Sequence, residues 1–277
     1  MNTVETFTKK KSAKEKISML TSYDFLMTKL IDKSVDAILV GDSLGMVMLG
    51  YEDTTRVSME DMIHHIKAVS RGVEKSLLVG DMPFLSYHLG IKDSVLNAGR
   101  LVREGGCKAV KLEGGEEIKE HIKAIISAGI PVMGHLGYTP QSVNVFGGHK
   151  AQGRTIETAK KIIEDALILE ESGVFAIVLE CIPYDLADHI SKQLKIPTIG
   201  IGSGSKCDGQ ILVTHDMLGL DEDFNPRHVK KYTNLSDIIN KAILKYVNEV
   251  KHEDFPKEQN SYAMDGFNIE DLFYEES

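Results

Sequence analysis

Ala37-Ile-Leu-Val-Gly-Asp-Ser43 and Ala109-Val-Lys-Leu-Glu-Gly-Gly115 are built alike: a short apolar run stops abruptly at glycine and a carboxylate. The same switch recurs along the chain. Ile17-Ser-Met-Leu20 leads into Thr21-Ser-Tyr-Asp24, Leu77-Leu-Val79 into Gly80-Asp-Met-Pro83, and Pro131-Val-Met133 into Gly134-His-Leu-Gly137. Ala176-Ile-Val-Leu179 runs into Glu180-Cys-Ile-Pro183, Pro197-Thr-Ile199 into Gly200-Ile-Gly-Ser-Gly204, and Ile211-Leu-Val213 into Thr214-His-Asp216. Apolar runs of this length suit parallel strands covered on both faces, and there are eight of them.

Helical spacing fills the intervals: Met59 to Arg71, Asp93 to Glu104, Glu116 to Ala128, Thr155 to Ser172 and Asp185 to Gln193. In the fourth, Ile156, Ala159, Ile163, Ala166 and Leu167 return at helical intervals with charges between them. Gly72, Gly105, Gly129 and Gly173 follow these patterns as helix-ending residues do. Strand–helix alternation with eight strands predicts an α/β chain folded as a (β/α)8 TIM barrel, which needs about 250 residues. A doubly wound open sheet usually has fewer strands and a glycine fingerprint after the first, which this sequence lacks. The rhythm stops near residue 225. Arg227 to Tyr232 and Leu235 to Val250 read as terminal helices capping or flanking the barrel, so one catalytic domain spans 1–255. Residues 256–277 read as an acidic, weakly ordered tail.

The 277 residues carry a net charge of −9, which argues against nucleic-acid binding. The one basic cluster, Lys9, Lys10, Lys11, Lys14 and Lys16, reads as a solvated arm. No apolar run is long enough for a membrane span, and the start lacks the apolar core of a secretory signal. Cys107, Cys181 and Cys207 are odd in number and without CxxC spacing, as expected of reduced thiols in a cytoplasmic protein.

In such barrels the chemistry sits where strands end. The polar residues collected there include Tyr23, Asp24, Asp42, Ser43, Asp81, Lys111, Glu113, His135, Glu180, Ser203, His215 and Asp216. Asp42, Asp81 and Glu113, each just past strands two, three and four, would converge on one side of the mouth. Three adjacent carboxylates repel unless a cation neutralises them, and all-oxygen ligation favours Mg2+. A strand-end Asp is otherwise a helix N-cap, the reading adopted for Asp24 and Asp216. Asp42, Asp81 and Glu113 precede more loop before any helix begins. Lys111 shares strand parity with Glu113 and is either an ion-pair partner or an anchor for a substrate carboxylate. His135 is a metal ligand, a donor to a substrate anion, or a packed polar residue. Gly200 to Gly204 is either an anion nest or close packing.

Val40-Gly-Asp-Ser-Leu-Gly-Met46, Gly80-Asp-Met-Pro-Phe84, Val110-Lys-Leu-Glu-Gly-Gly115 and Gly134-His-Leu-Gly-Tyr-Thr-Pro-Gln141 together resemble the motifs of the ketopantoate hydroxymethyltransferase family. Leu179-Glu-Cys-Ile-Pro183, Gly200-Ile-Gly-Ser-Gly204 and Cys207-Asp-Gly-Gln-Ile-Leu-Val213 fit it too, so the resemblance runs in order from about residue 15 to 255. It implies a barrel of the phosphoenolpyruvate/pyruvate type and one Mg2+ per subunit. It also implies transfer of a hydroxymethyl group from 5,10-methylenetetrahydrofolate to 3-methyl-2-oxobutanoate, giving 2-dehydropantoate for pantothenate biosynthesis. Carried over by motif, Asp42, Asp81 and Glu113 hold the metal, some through water. Ser43 and Lys111 bind the oxo acid together with Asp42, Asp81 and His135, and Glu180 is the base that forms a metal-held enolate. A homo-oligomer, a decamer, is implied as well. The sequence departs from the family at His149 and Ala151, where an aromatic and a hydrophobic residue are usual. It departs again at Asn260-Ser-Tyr262, where a His-Ser-Phe stretch is usual.

Two rivals remain. A Mg2+-dependent lyase or aldolase acting on 2-oxo acids shares the barrel, but the Lys-Lys-Cys-Gly-His loop of those lyases does not occur here. A non-catalytic anion- or metal-binding barrel would leave Glu180 without a purpose.

Overall fold

The computed structural model describes residues 1–148, 150–266 and 268–273. His149 and the last four residues of the acidic C-terminal stretch, singled out from the sequence, lie outside the described residues.

All eight expected strands form: β1 (Ile17–Thr21), β2 (Ala37–Val40), β3 (Leu77–Asp81), β4 (Ala109–Glu113), β5 (Val132–Gly137), β6 (Ala176–Glu180), β7 (Thr198–Ile201) and β8 (Gly209–Leu212). They pair in parallel in chain order, and β1 against β8 closes the barrel. Helices cover the outside: α1 (Val4–Ala13), α2 (Phe25–Ile31), α3 (Met59–Ser70), α4 (Ile91–Arg100), α5 (Lys119–Ser127), α6 (Ile156–Glu171) and α7 (Tyr184–Gln193).

Strand alternation splits the core in two. Outward residues such as Leu78, Val110, Leu112, Val132, Ile177 and Leu179 pack beneath the helices, among them Met62, Ile66, Ile122, Leu169 and Ile190. Inward residues Met19, Leu39, Leu77, Val79, Ala109, Met133, Ala176, Val178 and Ile199 fill the barrel. Phe7 of α1 plugs its lower end, edge-on to Phe175 with ring centroids 5.5 Å apart.

Four expectations change. β3, β4, β5 and β6 run further than their apolar stretches, so Asp81, Glu113, His135 and Glu180 belong to the strands rather than to the loops beyond. Ladder pairing with a neighbouring strand holds these polar residues extended, which composition alone does not show. The basic cluster is not simply solvated. Lys10 pairs with Asp36 at 2.6 Å, Lys11 with Asp208 at 2.8 Å, and Lys16 donates to the Cys207 carbonyl, tying α1 to the barrel's lower loops. Arg227 to Tyr232 forms no helix. α8 (Leu235–Lys251) does form but buries no residue, leaving Ile238, Ile243, Leu244 and Tyr246 exposed rather than flanking the barrel. No helix among the described residues is long and apolar enough to cross a membrane.

Asp32, buried at the end of α2, fixes the turn into β3. Its carboxylate accepts the backbone N–H groups of Glu74 at 3.0 Å, Lys75 at 3.0 Å and Ser76 at 2.9 Å. Burial favours the neutral acid, but these donors outweigh it and lower the Asp32 pKa below the usual carboxylate value. A depressed folded-state pKa stabilises the fold above the unfolded value of about 3.9, and the contribution disappears as pH falls through the folded value. Asp32→Ala is therefore expected to cost about 2 kcal/mol at pH 7 in urea unfolding, with the gap to wild type narrowing below about pH 4.

Candidate active site

The alternation that points Leu77 and Val79 into the barrel also points Asp81 inward, one layer higher. On β4 the same parity carries Ala109, Lys111 and Glu113; on β5, Met133 and His135; on β6, Ala176, Val178 and Glu180. Register then sets neighbours: Asp81 stands opposite Lys111, and Glu113 opposite His135. Asp42 and Ser43 follow β2 across a glycine. A Cβ at Gly41 would lie 2.8 Å from Ser43 Oγ, so glycine lets that hydroxyl stand in place. Thus Asp42, Ser43, Asp81, Lys111, Glu113, His135 and Glu180 all line one cavity of about 570 Å3 at the C-terminal mouth.

Within it, the Asp42 N–H donates to Asp81 Oδ2 at 3.1 Å. Lys111 Nζ lies 3.2 Å from Asp81 Oδ1, 3.9 Å from Glu113 Oε1 and 3.1 Å from His135 Nδ1. His135 reaches Glu113 Oε1 through Nδ1 at 3.3 Å and Glu180 Oε2 through Nε2 at 3.2 Å. Ser43 Oγ shares a 2.8 Å hydrogen bond with Tyr23 OH.

Burial is the largest influence on these groups, and the charges compete with it. Asp42 is raised well above the ordinary carboxylate range by burial, then by the charges of Asp81 and Glu113. Asp81 is raised by burial, with the Lys111 ammonium opposing. Burial also pushes Glu113 up, but His135, Lys111 and the Gln141 N–H outweigh it and leave Glu113 lowered. Lys111 is held protonated against burial by Asp81, Glu113 and Asp42. Burial and Lys111 oppose a charge on His135, yet Glu113 and Glu180 prevail and push it up to about 9. The 3.1 Å approach of Lys111 to Nδ1 pulls the other way, since it favours a neutral ring protonated on Nε2. In both forms Nε2 carries a proton, 3.2 Å from Glu180 Oε2 but outside hydrogen-bond alignment with it.

The acids fit a hard divalent cation. Asp81 Oδ1 and Glu113 Oε1 are buried with ion-pair contacts to Lys111 and His135 but no hydrogen bond, and Asp42 and Asp81 resist ionising together. Among the described residues no three acidic, His or Cys side chains already converge as an ion cage. Mg2+ does not need one, because it usually takes one or two carboxylates and completes its shell with water and substrate oxygens.

The chain's similarities agree with this constellation. A family model described as ketopantoate hydroxymethyltransferase matches residues 1–258. The chain belongs to this family of transferases. It is 64% identical over 271 residues to the 3-methyl-2-oxobutanoate hydroxymethyltransferase of Acetivibrio thermocellus, covering 98% of this chain and 96% of that protein. It is 57% identical over 273 residues to the like-named enzyme of Clostridium botulinum (98% and 99% covered) and 55% over 273 to that of Enterococcus faecalis (98% and 99%). Among solved structures, phosphonopyruvate hydrolase aligns with a TM-score of 0.63 at 12% identity, covering 98% of this chain and 94% of its own. 2,3-Dimethylmalate lyase, of the PEP mutase/isocitrate lyase superfamily, aligns at 0.58 and 12%, covering 99% and 94%. These two share the barrel fold.

Several residues that hold the site in this family member were not singled out from the sequence. Gln141 Nε2 donates to Asp42 Oδ2 at 2.7 Å and to the Met82 carbonyl at 2.9 Å, while its backbone N–H donates to Glu113 Oε2 at 3.0 Å. Tyr87 OH donates to Gln141 Oε1 at 2.7 Å, which fixes the amide's orientation. The only sequence signal was that Gln141 closes the Gly134 to Gln141 motif. Gly137 has φ +96, and a Cβ there would collide with the Glu180 carbonyl, which instead accepts the Tyr138 N–H at 2.8 Å. Cys181 follows Glu180 at φ +48, a left-handed conformation uncommon outside glycine that marks local strain at the end of β6.

Of the two expected helix caps, one forms and one does not. Asp24 does cap α2, accepting the Met27 N–H at 2.9 Å. Asp216 caps nothing: it lies inside the short helix Thr214–Leu218, preceded by Val213, and lines the cavity. In the glycine run, Ser203 is buried and donates to the Leu179 carbonyl at 2.8 Å, as close packing requires.

Because the Gln141 side chain orients Asp42, Gln141→Ala, which keeps the backbone N–H to Glu113, is expected to weaken Mg2+ binding by about 10- to 100-fold. Titration calorimetry with Mg2+ on the purified variant and wild type reads this directly.

Proposed function

We propose that this enzyme transfers the methylene carbon of 5,10-methylenetetrahydrofolate, as a hydroxymethyl group, to C3 of 3-methyl-2-oxobutanoate, giving 2-dehydropantoate in pantothenate biosynthesis. The observation that carries this reading is Glu180: a carboxylate whose Oε2 lies 3.2 Å from His135 Nε2, facing the same cavity as Ser43, Lys111 and the three acids. That is the arrangement needed to take a proton from carbon next to a carbonyl.

Asp42 and Asp81, with Glu113 directly or through water, would hold one Mg2+, which when bound supplies Lewis acidity at the oxo-acid oxygens. Ser43 and Lys111 bind the acid, Lys111 offsetting negative charge with an ammonium its carboxylate neighbours keep protonated. Glu180 accepts the C3 proton; His135 occupies Oε2 and orients the group. C3 then bonds to the folate-borne carbon, and that carbon's bonds to the two folate nitrogens break. Water supplies the hydroxyl, and the nitrogens receive one proton from water and the one taken from C3, releasing tetrahydrofolate. No thiol takes part. Cys181, beside the base, is pushed up to about 12 by burial and by Glu180, which makes it a poor nucleophile and disfavours a cysteine-dependent lyase on the same barrel.

The resemblance and the reduced thiols support a cytoplasmic setting, and the exposed apolar residues of α8 support a homo-oligomer, a decamer as in the family.

Two experiments test the reading. Incubation of the protein with 3-methyl-2-oxobutanoate, methylenetetrahydrofolate and Mg2+ is expected to yield 2-dehydropantoate; its absence across several divalent metals would sink the assignment. Glu180→Gln is expected to retain oxo-acid and Mg2+ binding while deuterium exchange at C3, followed by NMR in D2O, falls by about 10²- to 10⁴-fold. Unimpaired exchange would refute Glu180 as the base.

A further inference from the structure

The cavity has two chemically different sides. The acids, Lys111 and His135 stand on β2 to β5, with Glu180 on β6. Across the mouth, where β7 and β8 end, Ile201, Ile211, Val213, Leu220 and Phe224 supply an apolar wall, with His215, Asp216, Asp221, Glu222 and His228 as its polar members. A five-carbon oxo acid fills only part of about 570 Å3. Amid this apolar lining sits Asp216, 8% exposed. Its carboxylate makes no hydrogen bond among the described residues, and burial together with the charge of Asp221 pushes it up to about 6. The neighbouring acids are already engaged: Asp221 accepts the Asp223 N–H at 2.9 Å and Glu222 accepts the Ser236 hydroxyl. The adjacent His215 also lines the cavity, its ring 5.3 Å from Tyr23 and its buried Nδ1 unpartnered. A largely buried carboxylate that lines a cavity and has no donor from the protein is free to accept hydrogen bonds from a ligand.

We infer that Asp216 recognises the one-carbon donor by accepting two hydrogen bonds from the 2-amino and N3–H groups of its pterin ring. This rests on the proposed function, which brings a reduced folate into the same cavity. A pterin is flat and apolar on its faces, suiting Ile201, Ile211, Val213, Leu220 and Phe224. Along one edge it presents two adjacent donors, the geometry that a carboxylate accepts in pairs. Asp216 binds and orients the donor and takes no part in proton removal from the oxo acid, which belongs to Glu180 on another strand.

The test separates donor recognition from enolisation. Asp216→Asn keeps size but replaces one acceptor oxygen by a donor facing the 2-amino group. Its KM for methylenetetrahydrofolate is expected to rise about 10- to 100-fold. Folate-independent deuterium exchange at C3 of 3-methyl-2-oxobutanoate should stay within about twofold of wild type. An unchanged folate KM overturns the inference, and so does an exchange rate that falls as far as folate use, which would mark a structural role. Wild-type enzyme offers a check that needs no variant: tetrahydrofolate should bind at least tenfold more tightly than its 2-desamino-2-methyl analogue, and equal binding overturns the inference. Wild-type protein that turns over while Asp216→Asn keeps its folate KM removes this inference alone. Wild-type protein that makes no 2-dehydropantoate removes the parent reading and this one with it.

Discussion

Four carboxylates and one ammonium share the inner surface of the barrel mouth, out of bulk water, and the rest of the site is organised around that imbalance. Desolvation penalises every charge there, so each must be answered by an opposite charge, a hydrogen-bond donor or a bound cation. Lys111 serves Asp81 and Glu113, His135 bridges Glu113 to Glu180, and Gln141 supplies donors to Asp42 and Glu113. The donors do not suffice for Asp42 and Asp81, whose carboxyls are raised by burial. That deficit makes the same residues suitable for a hard cation.

The barrel makes this concentration of charge tolerable. Its lower layers are apolar, with Phe7 closing one end and Leu77, Val79, Met133 and Val178 stacked above. The polar layer lies at the other end, where strand pairing holds it rigid. Register sets Asp81 beside Lys111 and Glu113 beside His135. A slip by one residue would turn each of these side chains outward beneath the helices. The loops add the remaining constraints: Gly137 admits the Glu180 carbonyl, and Tyr87 prevents the Gln141 amide from presenting its oxygen to Asp42.

Much of this was legible in the sequence because the signals were local. Eight apolar runs ending in polar residues give eight strands, and period-two parity places Lys111 on the side of Glu113. What escaped depends on distance in the chain. Gln141 meets Asp42 across 99 residues, and Tyr87 meets Gln141 across 54, with no spacing rule to announce either pair. Lys10 and Lys11 looked like a solvated charge run because Asp36 and Asp208 come to them only when the barrel closes. Asp216 resembled a cap because a strand-end Asp commonly is one; its helix begins two residues earlier, leaving the carboxylate in the cavity. α8 has the amphipathic pattern of a packing helix, but the barrel of its own chain does not receive it.

The closed strand order also separates the two sides of the mouth. β8 stands diametrically opposite β4, with β1 to β3 along one arc and β5 to β7 along the other. A barrel of this kind is modular at its rim: the loop after one strand can be exchanged while the far side keeps its geometry. On the proposed reading, the acidic side sets which carbon acid is activated, and the β8 side sets which electrophile meets it. Under that reading, an altered β8 loop alone is enough to change the electrophile, with the half that removes the proton left as it is.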